Sequence, residues 1–136
     1  MQTSRHHQAE AGFTLLELLV VIAILGLLIG LVAPAALRQL GGARVSVAKQ
    51  SIERIGSVLD MYKLDTGHYP KSEQGLVALT ERPSGVSSWN GPYVKGAVPV
   101  DPWNHSYTYR NPSSRAGRDY DLCSAGASGT DAICNP

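Results

Sequence analysis

The hydrophobic and polar positions divide this chain into three stretches of different character. After a polar beginning, residues 18–37 carry no ionisable side chain, and such a run is about as long as an α-helix that crosses a bilayer core. From Val45 to Tyr62, apolar residues recur at spacings of three and four, which indicates one apolar stripe on a helix. Beyond residue 67 the chain is rich in Gly, Pro, Ser and Asn, as loops and short strands are.

The first two stretches together predict one long helix. Gly67 and Pro70 predict that it ends near Thr66, because glycine adopts the left-handed C-cap conformation and proline cannot continue a helix. Pro34 and the Gly41-Gly42 pair should weaken it, so we expect the helix to be bent or interrupted. The stripe on its second half comprises Val45, Ala48, Ile52, Ile55, Leu59 and Tyr62.

The last third of the chain predicts a small antiparallel sheet. Residues 106–110 are a plausible strand, residues 111–117 supply a turn, and residues 120–124 could return beside the first strand. We expect two or three strands packed on the outer half of the helix, with irregular backbone in the proline-containing stretch before them. The predicted fold class is α+β, a long N-terminal helix with a small C-terminal sheet and irregular loops.

Composition limits the classes of function. The chain has 136 residues and a formal net charge of +1, without a basic stripe, which argues against nucleic acid as a partner. Much of its apolar content lies before residue 40, so the remainder has a thin core that needs covalent links or neighbouring subunits. No nucleophile elbow, zinc-protease motif or phosphate loop is present, so we expect no enzyme. An enzyme would require the fold to gather Asp60, Asp65 or Asp101 into one cleft.

The most specific motif is Gly12-Phe13-Thr14-Leu15-Leu16-Glu17, which places one carboxylate at the mouth of the apolar run. Cleavage between Gly12 and Phe13 would leave an α-amine about one helical turn from Glu17, in its own chain or opposite it in a neighbour. The motif resembles the prepilin signal of the type IV pilin superfamily, in which a prepilin peptidase cuts after the glycine and N-methylates the new terminal phenylalanine. An ordinary signal anchor, with Glu17 among lipid headgroups, is the alternative. A secretory signal peptide fits less well, because its apolar core is shorter.

The resemblance extends over nearly the whole chain to one family, the major pseudopilins of type II secretion systems, or general secretion pathway protein G. It implies a type IV pilin-like fold and a structural subunit that polymerises into a filament. In such filaments, a proline at the place of Pro34 lies in a helix segment that can unwind on assembly. The resemblance rests on residues 59–65, Tyr69-Pro70, Gln74-Gly75-Leu76, Ala78-Leu79, Trp89, Gly91-Pro92-Tyr93 and residues 99–103. Among these residues, we expect Trp89, Tyr93 and Trp103 to pack the thin core.

The last loop departs from the family pattern. Family members usually bind a structural calcium ion there, whereas the loop between Cys123 and Cys134 retains only one acid, Asp131. Calcium takes six to eight oxygen ligands and generally more than one carboxylate. Our hypothesis is a Cys123–Cys134 disulfide in place of the ion, and no other cofactor or metal. Free thiols and half of a zinc site are the alternatives.

The resemblance also implies partners and a location. The partners are further copies of this chain, minor pseudopilins, the prepilin peptidase, the inner-membrane secretion platform and the membrane itself. We expect a leader of residues 1–12, a membrane and assembly segment of residues 13–37, and a periplasmic domain of residues 38–136 on a single-pass protein of the bacterial inner membrane. A disulfide agrees with the periplasm. The positive-inside rule points the other way, because Arg5 alone precedes the apolar run while Arg38, Arg44, Lys49 and Arg54 follow it.

Two other functions share the leader and the helix. A type IV pilin of a surface fibre would serve adhesion, motility or DNA uptake, whereas the residues around Tyr69-Pro70 and Asp101-Pro102-Trp103 favour secretion. A membrane-anchored binding domain that does not assemble is the second rival.

Overall fold

One long helix and a three-stranded sheet make up the regular structure. The computed structural model describes residues 12–136, so the predicted leader lies almost wholly outside the described residues. The helix α1 spans Leu15–Thr66, a 3₁₀ helix spans Leu76–Leu79, and the strands are β1 (Thr108–Arg110), β2 (Asp121–Ser124) and β3 (Ile133–Cys134). The chain divides into two compact units, one ending at Gln39 and one comprising Leu40–Pro136.

The helix α1 ends as the sequence predicts, and it is not interrupted. Its 52 residues run through Pro34 and through Gly41-Gly42. Of the two outcomes expected, a bend or an interruption, the interruption is absent, because the surrounding Ala and Leu residues have a high helix propensity that outweighs Pro34 and the glycine pair. The helix ends at Thr66, where Gly67 takes a φ of 85° and donates its N–H to the carbonyl of Lys63 at 2.7 Å.

The hydrophobic core of the C-terminal unit is built on the predicted helix stripe. The buried members of the stripe are Ala48, Ile52, Ile55, Leu59 and Tyr62, whereas Val45 is half-buried. From Ile52 onward they pack against residues of the 3₁₀ helix and the sheet region, namely Ala78, Leu79, Tyr107 and Leu122. Each fully buried Leu or Ile side chain contributes about 1.5–3 kcal/mol, so this one helix face supplies much of the small core.

Aromatic side chains cover the core, as the sequence predicts for Trp89 and Tyr93. The Tyr93 ring meets the buried Tyr62 ring edge-on at 5.7 Å between centroids, and Trp89 meets Tyr93 at the same distance. The indole N–H of Trp89 donates to the carbonyl of Ala78 at 2.7 Å. The expectation for Trp103 is wrong: it is half-buried and does not pack against the core cluster.

The sheet is antiparallel in the order β1-β2-β3. Tyr109 faces Leu122 across the first pair, and Cys123 faces Cys134 across the second. Both predicted strands exist but are shorter than expected. Ser124 is the last residue of β2, pairs with Ile133 of β3, and donates its hydroxyl to Asp101 at 2.6 Å.

Candidate assembly segment and C-terminal clamp

The first half of α1 exposes an apolar surface over its whole length. Every residue from Gly12 to Arg44 is exposed, including Phe13 at 86% and Leu15 at 84%. Among the described residues, α1 is the one helix that is long and apolar enough to cross a membrane, and none of its apolar window is buried. Because exposed apolar patches this large mark membrane or protein contacts, this segment is the main candidate for both.

Thr14 and Glu17 lie together at the start of this segment. The hydroxyl of Thr14 accepts a hydrogen bond from the backbone N–H of Glu17 at 3.1 Å, and the Thr14 carbonyl accepts one from Leu18. Thr14 is therefore the N-cap of α1, and Glu17 occupies the third helical position. A carboxylate there is also favoured by the helix dipole, so Glu17 has a local role beside the predicted pairing with Phe13.

Pro34 lies inside α1, within the exposed half. Because proline has no N–H, it cannot donate to the carbonyl of Gly30, four residues earlier. The helix is therefore weaker at this turn than at the neighbouring turns. The hypothesis that the segment around Pro34 unwinds on assembly requires such a weak turn.

The carboxylate of Asp101 links a central loop to the end of β2. Asp101 is 3% exposed and accepts hydrogen bonds from the hydroxyl of Ser124 at 2.6 Å and from the backbone N–H groups of Trp103 and His105. Burial alone would raise the pKa of Asp101, but the bonds from Ser124, His105 and Trp103 outweigh it and lower the pKa. The charged carboxylate is thus a fixed structural acceptor.

A second carboxylate, Asp121, holds the C-terminal tail. It accepts hydrogen bonds from Ser113, Ser114 and the Nε of Arg115, the last at 2.7 Å. The same guanidinium donates to the backbone and side-chain oxygens of Asn135 at 2.8 and 2.5 Å. The bonds from Ser113, Ser114 and Arg115 hold the pKa of Asp121 well below its usual range. We call Arg115, Asp121 and Asn135 the C-terminal clamp.

The predicted disulfide is present in the last loop. Cys123 and Cys134 are bonded, and they are also register partners across β2 and β3. Gly126 shapes the loop between them: its φ is 73°, and a Cβ there would lie 2.5 Å from the carbonyl oxygen of Asp131. Only glycine fits this backbone without displacing the loop.

The donor set of this loop does not fit a calcium ion. Asp131 is the only acid between the two cysteines, and the carboxylates of Asp101 and Asp121 are occupied by donors of the chain itself. Within residues 12–136, no group of three His, Cys, Asp or Glu side chains is placed to hold a metal. The disulfide and the clamp are the links that the structure shows in this part of the chain.

The three acids considered for catalysis do not share a cleft. Asp60 accepts a hydrogen bond from the hydroxyl of Tyr69, and Asp65 accepts one from the hydroxyl of Tyr93, each at 2.8 Å. Asp101 lies in its own network. Each of these three acids therefore takes part in a separate structural contact.

Two features were missed at the sequence level. The Thr14-x-x-Glu17 pattern matches a capping box, which a search for helix start signals would have found. The C-terminal clamp had no comparable signal, because Arg115 and Asn135 are 20 residues apart and meet only through the tertiary fold.

Comparison with known protein families supports both halves of this description. A prokaryotic N-terminal methylation motif matches residues 7–33, and the family of type II secretion system protein G matches residues 35–133. The two matches meet within α1, close to Pro34.

Curated relatives match over most of the chain. The type II secretion system core protein G of Pseudomonas aeruginosa is 42% identical over 125 residues, which cover 90% of this chain and 87% of the relative. The core protein G of Escherichia coli K12 is 41% identical over 124 residues, covering 88% of this chain and 83% of the relative.

A solved structure agrees with the fold. The crystal structure of the major pseudopilin from the type 2 secretion system of enterohaemorrhagic Escherichia coli superposes with a TM-score of 0.63 at 31% identity, covering 73% of this chain and 91% of that one. The pilin-like fold, the methylation motif and the sequence identity to these relatives all agree. This chain belongs to the type II secretion system protein G family.

Proposed function

We propose that this chain is the major structural subunit of a type II secretion pseudopilus, cleaved between Gly12 and Phe13 and N-methylated on Phe13. The mature chain waits in the inner membrane and polymerises through its apolar helix into a periplasmic filament. That filament helps drive folded proteins across the outer membrane. Minor pseudopilins, the prepilin peptidase and the inner-membrane platform are its partners, besides other copies of itself.

The observation that carries this proposal is the uncovered apolar half of α1. A helix that exposes Leu, Ile and Val around its whole circumference is stable in lipid or among similar helices, but not in water. The same surface can serve both states in turn, because lipid tails and neighbouring helices are equally apolar. When a subunit moves from the membrane into the filament, its helix therefore passes from one apolar environment to another.

Glu17 determines the axial offset between neighbouring subunits in the filament. An acid at the centre of a membrane helix costs about 2.5–3.5 kcal/mol on insertion scales, and less near the interface, so the membrane state is only mildly disfavoured. In the filament, the α-amine of Phe13 in an adjacent subunit neutralises Glu17 inside an apolar surround, where opposite charges attract more strongly than in water. Only axial offsets that bring these groups together satisfy both charges.

The disulfide supports a periplasmic location for the C-terminal domain. Disulfides persist in oxidising compartments such as the bacterial periplasm and are rare in the cytosol. The basic residues after the apolar run would favour the opposite orientation, but the leader must meet a peptidase on the cytoplasmic side. We therefore assign residues 13–37 to the membrane and residues 38–136 to the periplasm.

Replacing Glu17 tests the pairing and separates it from helix capping. Glu17→Gln removes the charge but keeps a side chain that suits the third position of a capping box. We expect Glu17→Gln and Glu17→Ala to insert into the membrane normally and to yield few filaments, measured by sedimentation of pseudopili released from broken cells. Normal filament yield from Glu17→Gln would contradict the charge pairing and leave capping as the role of Glu17.

A further inference from the structure

Two grooves of similar size flank one exposed loop of the C-terminal unit, residues 94–99. One groove, of about 440 Å³, lies between this loop, the 3₁₀ helix and the residues leading into β1. The other, of about 420 Å³, lies between the loop and α1. Ala97 and Pro99 line both grooves, so the loop is the ridge that separates them.

The two grooves carry opposite charges. The first has Glu81 on its rim, and we call it the acidic groove. The second has Arg54 and Lys95 on its rim over apolar side chains that include Ile55 and Val94, and we call it the basic groove. Glu81, Arg54 and Lys95 are all exposed.

These charges have no ionic partner within residues 12–136. The ion pairs of the described chain join Asp121 to Arg115 and Asp101 to His105, and neither pair lies at a groove. A rim with one sign of charge over an apolar floor suits an apolar group that carries the opposite charge. The chain itself presents such a group on the wall of the acidic groove.

That group consists of Val77 and Glu81. Val77 is 58% exposed, and the N–H of Glu81 donates to the carbonyl of Val77 at 2.9 Å, so the two residues lie one helical turn apart. They therefore form an apolar side chain with an acid beside it. This arrangement complements the apolar floor and the two cations of the basic groove.

We propose that the Val77–Glu81 turn of one copy docks into the basic groove of the next copy, with Val77 on the apolar floor and Glu81 between Arg54 and Lys95. In a growing filament each copy uses its turn on one neighbour and its groove on another, so the contact is head-to-tail, and a head-to-tail contact that does not close into a ring generates a filament. The inference rests on the proposed polymerisation and adds a second site to it, located on the globular domains. The membrane helices supply the bulk of the packing, and this contact fixes how neighbouring domains turn toward each other.

Charge reversal in the full-length chain tests the docking. We expect Glu81→Lys to reduce the yield of pseudopili sedimented from broken cells at least about tenfold, because it places like charges together in a contact that excludes water. Glu73→Lys makes the same change on an exposed acid that lines neither groove, and it should leave the yield unchanged. The pair Glu81→Lys with Arg54→Glu should restore part of the yield, because it regains one attractive pair across the contact while Lys95 stays repulsive, and this recovery places the defect of the single variant in the contact.

Cysteine crosslinking tests the geometry. We expect Val77→Cys combined with Val94→Cys in one chain to give a ladder of multimers on oxidation, whereas Arg118→Cys with Val94→Cys gives none. Products that stop at dimers would indicate a closed pair and would overturn the head-to-tail contact. So would wild-type yield from Glu81→Lys, or a charge-swapped pair that stays as defective as the single variant.

Failure of this proposal is distinguishable from failure of the proposed function. If wild-type chains form filaments that Glu81→Lys does not disturb, the docking site is wrong and polymerisation stands. If wild-type chains form no filaments at all under native expression, the proposed function fails and the docking falls with it.

Discussion

Removing the disulfide should destabilise the C-terminal unit by about 3 kcal/mol. Cys123 and Cys134 are 11 residues apart, and for a loop of this size the chain-entropy relation gives a loss of about 3 kcal/mol at 25 °C when the link is broken. Both cysteines are half-buried, so alanine at these positions leaves little cavity to add to the loss. A shift of about 12–24 °C in the thermal midpoint follows for a unit of this size.

The assay compares the wild-type chain with Cys123→Ala/Cys134→Ala, both in detergent, by urea unfolding followed through the near-UV circular dichroism of the aromatic cluster. The double variant should unfold at lower urea, and the slope of its unfolding free energy should be steeper, because its unfolded chain is less compact. Wild-type protein treated with reductant is the matched control and should behave like the variant. A double variant within about 0.5 kcal/mol of the wild type would refute the loop-closure argument.

Two further predictions concern the carboxylates and the clamp. The pKa values of Asp101 and Asp121 are lowered in the folded state, so the stability that these carboxylates contribute is fully present above their unfolded pKa near 4 and is lost as the pH falls below it. Thermal midpoints measured between about pH 6 and pH 2 should therefore drop steeply only below about pH 4. A midpoint that does not change with pH over this range would contradict the argument. Arg115→Lys keeps the charge but cannot reproduce the planar guanidinium that reaches both oxygens of Asn135, so the thermal midpoint of this variant should fall by roughly 4–8 °C. The control Arg118→Lys, at an exposed arginine, should leave the midpoint unchanged. Equal midpoints for the two variants would show that the C-terminal clamp does not stabilise the fold.

Local patterns were sufficient to predict the helix, its end and its buried face. The stripe from Ala48 to Tyr62 follows the helical period, and Gly67 ends the helix by its own backbone preference, so neither depends on distant residues. The interruption expected at Pro34 did not occur, because a single proline weakens one turn while its neighbours continue to favour the helix.

Tertiary contacts decided the features that the sequence could not give. The buried hydrogen bond from the Ser124 hydroxyl to Asp101 joins residues that are 23 positions apart. The clamp similarly depends on Arg115 meeting the chain end. The position of Trp103 outside the core follows from its place in the turn on Asp101, to which its backbone N–H donates at 3.0 Å. Patterns of spacing do not encode such long-range pairings.

The most direct test of the central claim is the intact mass of the chain isolated from native pseudopili under non-reducing conditions. The account predicts a chain that begins at Phe13, carries one added methyl group and lacks two hydrogens at Cys123 and Cys134. Working filaments built from chains that retain Met1–Gly12 would contradict it, because no α-amine on Phe13 would then exist to neutralise Glu17.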